Sequence, residues 1–249
     1  MNIEFKDIYV ELGNQKILNG IDLTSAHGKI TGIVGANGCG KSTLIKSLFG
    51  IVPIKEGSIL LDGVNSGSMA KKDLSALVGY VSQDIPCIFD FSVQEIVDMG
   101  LYARRHHRED SKKIVRQAIA DLQIEHLSER SILTLSGGER KMAFLARAVA
   151  QGVDTIILDE PTNHLDIKHQ LFIMNYLKNS GKTVLIVLHD LSLATHYCDI
   201  IYLMRNGCSF AHGTPEETLN RQNIKAAFGV VGEAVRNSLG LVEFNLDME

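Results

Sequence analysis

The stretch GANGCGKS at residues 35–42 fits the spacing G-x-x-x-x-G-K-[ST], and its surroundings narrow the fold more than any other part of the chain. Before it, residues 29–34 form a short, strongly apolar run suited to a buried strand. After it, residues 41–49 place Leu44, Ile45 and Leu48 on one helical face. A strand that feeds a tight glycine loop, which in turn opens a helix, is the arrangement a phosphate cradle needs. Gly35, Gly38 and Gly40 let the backbone fold so that N–H groups along the loop, through Ala36, Asn37, Cys39 and Thr43, converge on phosphate oxygens. The helix start adds positive potential. Lys41 has the length to reach the outer phosphates, and the Ser42 hydroxyl suits Mg2+.

Such a loop predicts an α/β fold, and the remaining pattern agrees. Strands are expected at 3–10 and 17–23, on either side of a Gly13-Asn14 turn, and at 58–61, ending at Asp62-Gly63. Residues 92–122 read as helical, with Ile114, Val115, Ala118, Ile119 and Leu122 at helical spacing. A second helix is expected over 137–151. Thereafter strands at 155–159, 183–188 and 200–204 alternate with helices at 167–179 and 191–198. Alternation of apolar strands with helices implies a parallel sheet covered by helices, here interrupted by a helical insert. From Thr214 the chain reads as a proline-started helix followed by a weaker mixed segment.

A phosphate cradle that performs chemistry needs acids nearby. TIILDE at 155–160 supplies them. The apolar strand delivers Asp159 at its carboxyl end, where it can hold Mg2+ through a water. Glu160, one residue on, can polarise an attacking water.

Composition excludes several alternatives. The 249 residues are 45% hydrophobic and 22% charged, as in globular proteins. No apolar run approaches the ~20 residues of a membrane-spanning helix, and the start lacks the basic and apolar regions of a secretory signal, so the chain is expected in the cytosol. A net charge of −4 argues against a chain whose whole surface binds nucleic acid, though not against a local basic groove, and the lack of Trp with 6% aromatics argues against a stacking platform for single strands. The cysteines, Cys39, Cys87, Cys198 and Cys208, form no CxxC pair and read as reduced thiols. Arg104, Arg105, His106, His107 and Arg108 read as the solvated end of a helix rather than a metal or nucleic-acid patch.

LSGGE at 135–139, followed by RKMAFLARAVAQ, closely resembles the signature of ABC-type ATPases. The resemblance covers nearly the whole chain, from Ile3 to about Gly229. It implies a nucleotide-hydrolysing core with a parallel sheet, an N-terminal antiparallel β subdomain and a helical signature subdomain. An ABC ATPase domain would span 1–230, with the helical subdomain inserted at about 84–152 and a short extension at 231–249. It implies that Ser136, Gly137, Gly138 and Glu139 face the γ-phosphate held by a second copy of the chain, so that ATP is sandwiched in a head-to-tail dimer. Gln83, in YVSQD, matches the Q-loop that senses the metal and the membrane partner, which gives Ser42, Gln83 and Asp159 as metal contacts. PTNHLD at 161–166 matches the D-loop, with Asp166 at the dimer interface. His189, about thirty residues after Glu160, matches the switch histidine that contacts the γ-phosphate.

The sequence departs from the family in places. Leu12 stands where many members place an aromatic that stacks on adenine, with Tyr9 upstream. The signature ends in Glu139 rather than Gln and continues with Lys141-Met142. Cys39 sits inside the phosphate loop, where a partly exposed thiol beside Lys41 is expected to be reactive, so that its alkylation blocks ATP binding.

FSVQEIVDMGLYARR at 91–105 and GTPEETLNRQNIKAAFGV at 213–230 resemble the ATPases of importers for iron–siderophore complexes, haem and cobalamin. This implies two polytopic membrane permease subunits as partners, a solute-binding protein acting indirectly, no nucleic acid, and a cytoplasmic position on the inner face of the membrane. A groove near residues 83–97 would pass movement to the permeases. The alternative is a soluble ABC ATPase acting on ribosomes, for which NHLDI is also typical, but the chain lacks the second ATPase domain and charged linker of that group. A chromosome or repair ATPase would need a long coiled coil, and no sustained heptads appear.

Overall fold

A computed structural model describes residues 1–83, 88–103 and 108–247. In chain order the elements are β1 (Ile3–Leu12), β2 (Gln15–Ser25), β3 (Ile30–Gly35), α1 (Lys41–Leu48), β4 (Glu56–Leu61), β5 (Val64–Asn65), α2 (Lys71–Leu77), β6 (Val78–Val81), α3 (Val93–Asp98) and α4 (Arg108–Asp121). They continue as α5 (Gly137–Ala150), β7 (Thr155–Asp159), α6 (Ile167–Asn179), β8 (Thr183–Val187), α7 (Leu191–Tyr197), β9 (Ile200–Arg205) and β10 (Cys208–Gly213). Last come α8 (Pro215–Thr218), α9 (Arg221–Phe228), β11 (Gly232–Arg236) and β12 (Val242–Leu246). The chain forms two compact units, one of residues 1–69 with 174–249 and one of residues 70–173.

In the first unit an antiparallel sheet runs in the order β2-β1-β4-β5. Leu12 pairs with Gln15 across the Gly13-Asn14 turn. Asp62 and Gly63 both adopt positive φ, 46° and 82°, so that Leu61 pairs with Val64 in a tight hairpin. Ile3, Phe5, Ile8 and Val10 are buried along β1. The same unit holds strands in the order β10-β9-β3-β8. β3 is flanked by β8 and β9, both parallel to it, with β10 antiparallel on the outer side of β9. β3 and β8 are buried throughout, which is why their sequences read as unbroken apolar runs. Residues beyond 230, expected as a weak mixed segment, form an antiparallel hairpin in which Gly232 pairs with Leu246 and Arg236 with Val242.

In the second unit β6 and β7 pair in parallel, Val78 with Thr155 through Val81 with Leu158. Three amphipathic helices make its core. α3 buries Val93, Ile96 and Val97, α4 buries Val115, Ala118 and Ile119, and α5 buries Met142, Ala143, Leu145 and Ala146. The region expected to be helical over 92–122 holds α3 and α4, and after α3 residues 99–103 tighten into a 3₁₀ turn. There Gly100 lies so close to α5 that a Cβ would overlap the Arg147 carbonyl oxygen. The basic run at 104–107, with Cys87, lies outside the described residues. No helix among those described is long and apolar enough to cross a membrane.

Candidate active site

In the first unit β3 ends at Gly35 and hands the chain to the phosphate loop. Gly35, Gly38 and Gly40 have φ of 153°, 77° and 107°. A Cβ at Gly35 would overlap the Met204 carbonyl oxygen, and one at Gly40 would stand 2.6 Å from Leu18 Cδ2. Glycine is therefore required there by both conformation and space. Ala36, Asn37 and Gly38 form the exposed rim, whereas Cys39, Gly40 and Lys41 are buried. Lys41 Nζ donates to the Gly35 carbonyl at 2.8 Å and to the Ala36 carbonyl at 3.1 Å, so its ammonium lies within the loop. Gly40 caps α1 without a side-chain acceptor, and Ser42 and Thr43 are half-buried in its first turn. That helix start offers N–H donors to an anion.

The register of β3 and β8 pairs Ile33 with Val187. Gly35 and His189 therefore each stand two residues beyond the same pair, at the carboxyl edge of the sheet where α/β proteins bind ligands. Asp190, next to His189, caps α7 through Oδ1, which accepts from Ser192 and Leu193 N–H at 2.8 and 3.0 Å.

Cys39 contradicts one expectation. Its thiol is buried, at 7% exposure, and burial pushes its pKa up despite the opposing charge of Lys41. The thiol is packed against the loop backbone, 2.8 Å from where a Gly35 Cβ would stand, rather than presented to solvent. Leu12, where the resemblance expects an aromatic, is 46% exposed. Tyr9 leans on Gly20, and the Asp7 charge beside it raises its pKa.

In the second unit Asp159 ends β7 fully buried. Tyr80, on the paired strand β6, has its pKa pushed up to about 12 by burial first and by the Asp159 charge second. Glu160 is 5% exposed. Its Oε2 accepts two amide hydrogen bonds, from Gln83 Nε2 and from Asn163 Nδ2, each at 2.6 Å. Lys141 Nζ donates to the carbonyls of Glu160 and Asn163 at 2.9 and 2.7 Å. The structure thus brings Gln83 and Glu160 together, and adds Asn163 and Lys141, which the sequence did not single out as functional.

The signature residues begin α5. Ser136 is its N-cap: its Oγ accepts from Glu139 N–H at 3.2 Å, while Glu139 Oε2 accepts from Ser136 N–H at 2.8 Å. This reciprocal cap explains the departure at 139, since Glu and Gln both serve as the third residue of a capping box. The Ser136 backbone bond holds the Glu139 carboxyl below its usual pKa. Ser136 and Gly137 are exposed, and a Cβ on Gly137 would meet nothing within 4 Å. Asp166 stands apart: its Oδ1 accepts from His169 N–H at 2.8 Å and lies 2.9 Å from His169 Nδ1, bonds that lower its pKa and start α6.

One further residue shapes the cradle. In the β9–β10 turn Gly207 donates its N–H to the Cys39 carbonyl at 3.1 Å and accepts from Asn19 N–H at 2.8 Å. Asn-Gly is a dipeptide that favours a hairpin turn, but neither this turn nor its bond to the phosphate loop was among the sequence expectations.

Residues 18–163 match the family model described as ABC transporter. The chain is 35% identical over 236 residues to a hemin import ATP-binding protein of Pseudomonas entomophila, covering 92% of each. It is 32% identical to a cobalamin import ATP-binding protein of Halobacterium salinarum, over 92% of this chain and 59% of that one. An achromobactin transport ATP-binding protein of Dickeya dadantii is 30% identical, over 92% of this chain and 88% of the other. Among solved structures, an inward-facing ABC transporter of the metal-chelate type shares the fold with TM-score 0.82 at 24% identity, covering 99% and 98% of the two chains. The cbiO1 protein of Clostridium perfringens, part of the cbiONQ complex, aligns with TM-score 0.77 at 28% identity, covering 91% and 95%. With cradle, acids and capped signature helix formed as described, the chain belongs to the ABC transporter family of ATPases.

Proposed function

We propose that this chain is the ATP-hydrolysing subunit of a membrane importer whose solute is an iron–siderophore complex, haem or cobalamin. The solute class is supported by relatives named for import of hemin and cobalamin and for transport of achromobactin, each matched over 92% of this chain. One observation carries the hydrolytic half: the buried Glu160 carboxylate, held by Gln83 and Asn163 at the carboxyl end of β7. A carboxylate so placed can orient or deprotonate water for attack on the γ-phosphate.

The other roles follow the family pattern, residue by residue. The loop from Gly35 to Thr43 binds the phosphates of ATP, with Lys41 countering their charge. Ser42, Gln83 and Asp159 hold Mg2+. Their hydroxyl, amide and carboxylate oxygens are the hard donors that ion prefers, and a buried carboxylate such as Asp159 calls for compensating positive charge. When bound, Mg2+ supplies neutralisation of phosphate charge. His189 stabilises charge developing on the γ-phosphate. Ser136, Gly137, Gly138 and Glu139 complete the site of a second copy, and Asp166 lies at that dimer contact. The ATPase domain is taken as 1–230, with a helical subdomain at about 84–152 and an extension at 231–249. Two polytopic permease subunits dock on the dimer, a solute-binding protein acts through them, and the chain sits on the cytoplasmic face of the membrane.

The test is affinity capture of the Glu160→Gln chain with ATP from gently solubilised membranes, with Lys41→Ala as the variant that does not bind ATP. Glu160→Gln retains ATP and is trapped as a dimer, because the carboxylate serves chemistry rather than affinity. Co-purification of a polytopic membrane protein, two copies per two ATPases, is the expected result, and its identity names the solute. Recovery with ribosomes or soluble proteins alone would overturn the importer reading in favour of a soluble ABC ATPase. A monomeric, fully active Glu160→Gln chain would overturn the assignment of Glu160.

A further inference from the structure

The turn after β7 is held by more bonds than a strand end needs. Glu160 has a left-handed backbone, φ 52°. Asn163 N–H donates to the Glu160 carbonyl at 3.4 Å, and Asn163 Nδ2 donates to Glu160 Oε2 at 2.6 Å. The same residue therefore grips both the main chain and the carboxylate of Glu160. Lys141, on α5, then ties the two ends of this four-residue turn together by donating to the carbonyls of both Glu160 and Asn163. Pro161 and Thr162, between them, are buried.

Gln83 offers a second amide to the same oxygen, at 2.6 Å. The two amides differ in what anchors them. Gln83 has the longer side chain and, on the reading above, a second task at the metal. Asn163 has a short side chain on a backbone locked by a turn and an ammonium. A carboxylate that must meet water in one orientation needs a holder that does not leave when the metal site is occupied.

We propose that Asn163 is a positioning residue for Glu160, and that Lys141 fixes the turn from which Asn163 acts. This inference rests on the reading of Glu160 as the group that activates water. A Ser, Ala or Asp at 163 would leave the phosphate cradle untouched but alter the aim of the carboxylate.

The experiment is single-turnover ATP hydrolysis, with ATP binding measured separately, on the purified full chain. Asn163→Ala is expected to slow hydrolysis by roughly 10- to 100-fold, with the Kd for ATP held within about twofold and the melting temperature unchanged. Asn163→Asp, which sets one carboxylate against another, is slower still. Asn163→Ser, which keeps a short donor, recovers part of the rate. Lys141→Met slows hydrolysis too, and combining it with Asn163→Ala adds little, since both act on one turn. Parental hydrolysis by Asn163→Ala beside an inactive Glu160→Gln chain would overturn this inference and leave the ATPase reading standing. Full hydrolysis by Glu160→Gln would overturn the reading of Glu160 as the group that activates water, on which this inference rests. Loss of ATP affinity and melting temperature in step with the rate would reduce Asn163 to a structural residue and also overturn the inference.

Discussion

Lys41 and Cys39 are two residues apart in one loop, and both are buried, but burial acts on them differently. Lys41 Nζ finds hydrogen-bond partners there, donating to two loop carbonyls. The Cys39 thiol gains proximity to the Lys41 charge, yet loss of solvent outweighs it and raises the pKa. A thiol with a raised pKa carries less thiolate at neutral pH, and only the thiolate is alkylated. Cys198 is buried as well, with its pKa raised by burial and then by Asp199, whereas Cys208 is half-buried. Iodoacetamide at pH 7, followed by peptide mapping, is therefore expected to label Cys208 ahead of Cys39 and Cys198. Labelling of Cys39 should grow as pH rises toward its pKa. Rapid, selective labelling of Cys39 at pH 7 would restore the reactive-thiol expectation. Position in the loop was legible from the sequence, but exposure was not, because the packing that covers Cys39 comes from Gly35 and from the distant β9–β10 turn.

At the scale of elements, the same β9–β10 turn explains how the phosphate loop keeps its shape. Asn206 and Gly207 have φ of 49° and 75°, and a Cβ at Gly207 would overlap the Ile17 carbonyl oxygen. The turn is wedged between β2 and the Cys39 carbonyl, so any displacement of Gly207 reaches the loop. Gly207→Ala is expected to weaken ATP binding several-fold with the rate at saturation largely kept. The strain to be relieved is on the order of 1–3 kcal/mol. Gly181 is the control: its φ is 65°, but a Cβ there would meet nothing within 4 Å. Gly181→Ala should lower the melting temperature without changing ATP affinity, and equal loss of affinity in the two variants would show that Gly207 has no special link to the loop. Elements with a strong periodic signal, such as β3, β7, β8 and α5, were legible in the sequence. Others were not: α2 buries only Leu74, so it has no apolar stripe to read, and β6 is only four residues long, Val78–Val81, too short for an alternating pattern to stand out.

For the molecule as a whole, most of the parallel core was legible because β3, β7 and β8 are buried on both faces, and the acids and loops at strand ends are short local patterns. What was not legible was pairing across long stretches of chain, and the C-terminal hairpin is the clearest example. Residues 231–247 alternate weakly, and much of their apolar surface stays in solvent: Leu239 is 82% exposed and Leu246 60%. A two-stranded sheet of this kind is marginal alone and borrows stability from what it touches. Here β11 is tied by Ala234 N–H to the Leu219 carbonyl at 2.7 Å, with Ala234 itself buried. Around it lie ion pairs from Arg221 to Glu233 and Asp247, at 2.8 and 2.7 Å, and from Arg236 to Glu216 at 2.5 Å. All of these pairs are solvent-exposed, so they add little and are screened by salt. The hairpin also stands outside the residues assigned to ATP. Truncation after Gly229, whose left-handed φ of 76° already ends α9, is therefore expected to leave ATP affinity and hydrolysis unchanged. It should lower the melting temperature by about 2–4 °C, the shift that about 1 kcal/mol produces in a chain of this length. Differential scanning fluorimetry with a parallel ATPase assay decides it. A truncated chain that loses hydrolysis while melting near the parental temperature would show that the hairpin belongs to the catalytic assembly rather than to the packing of its own unit.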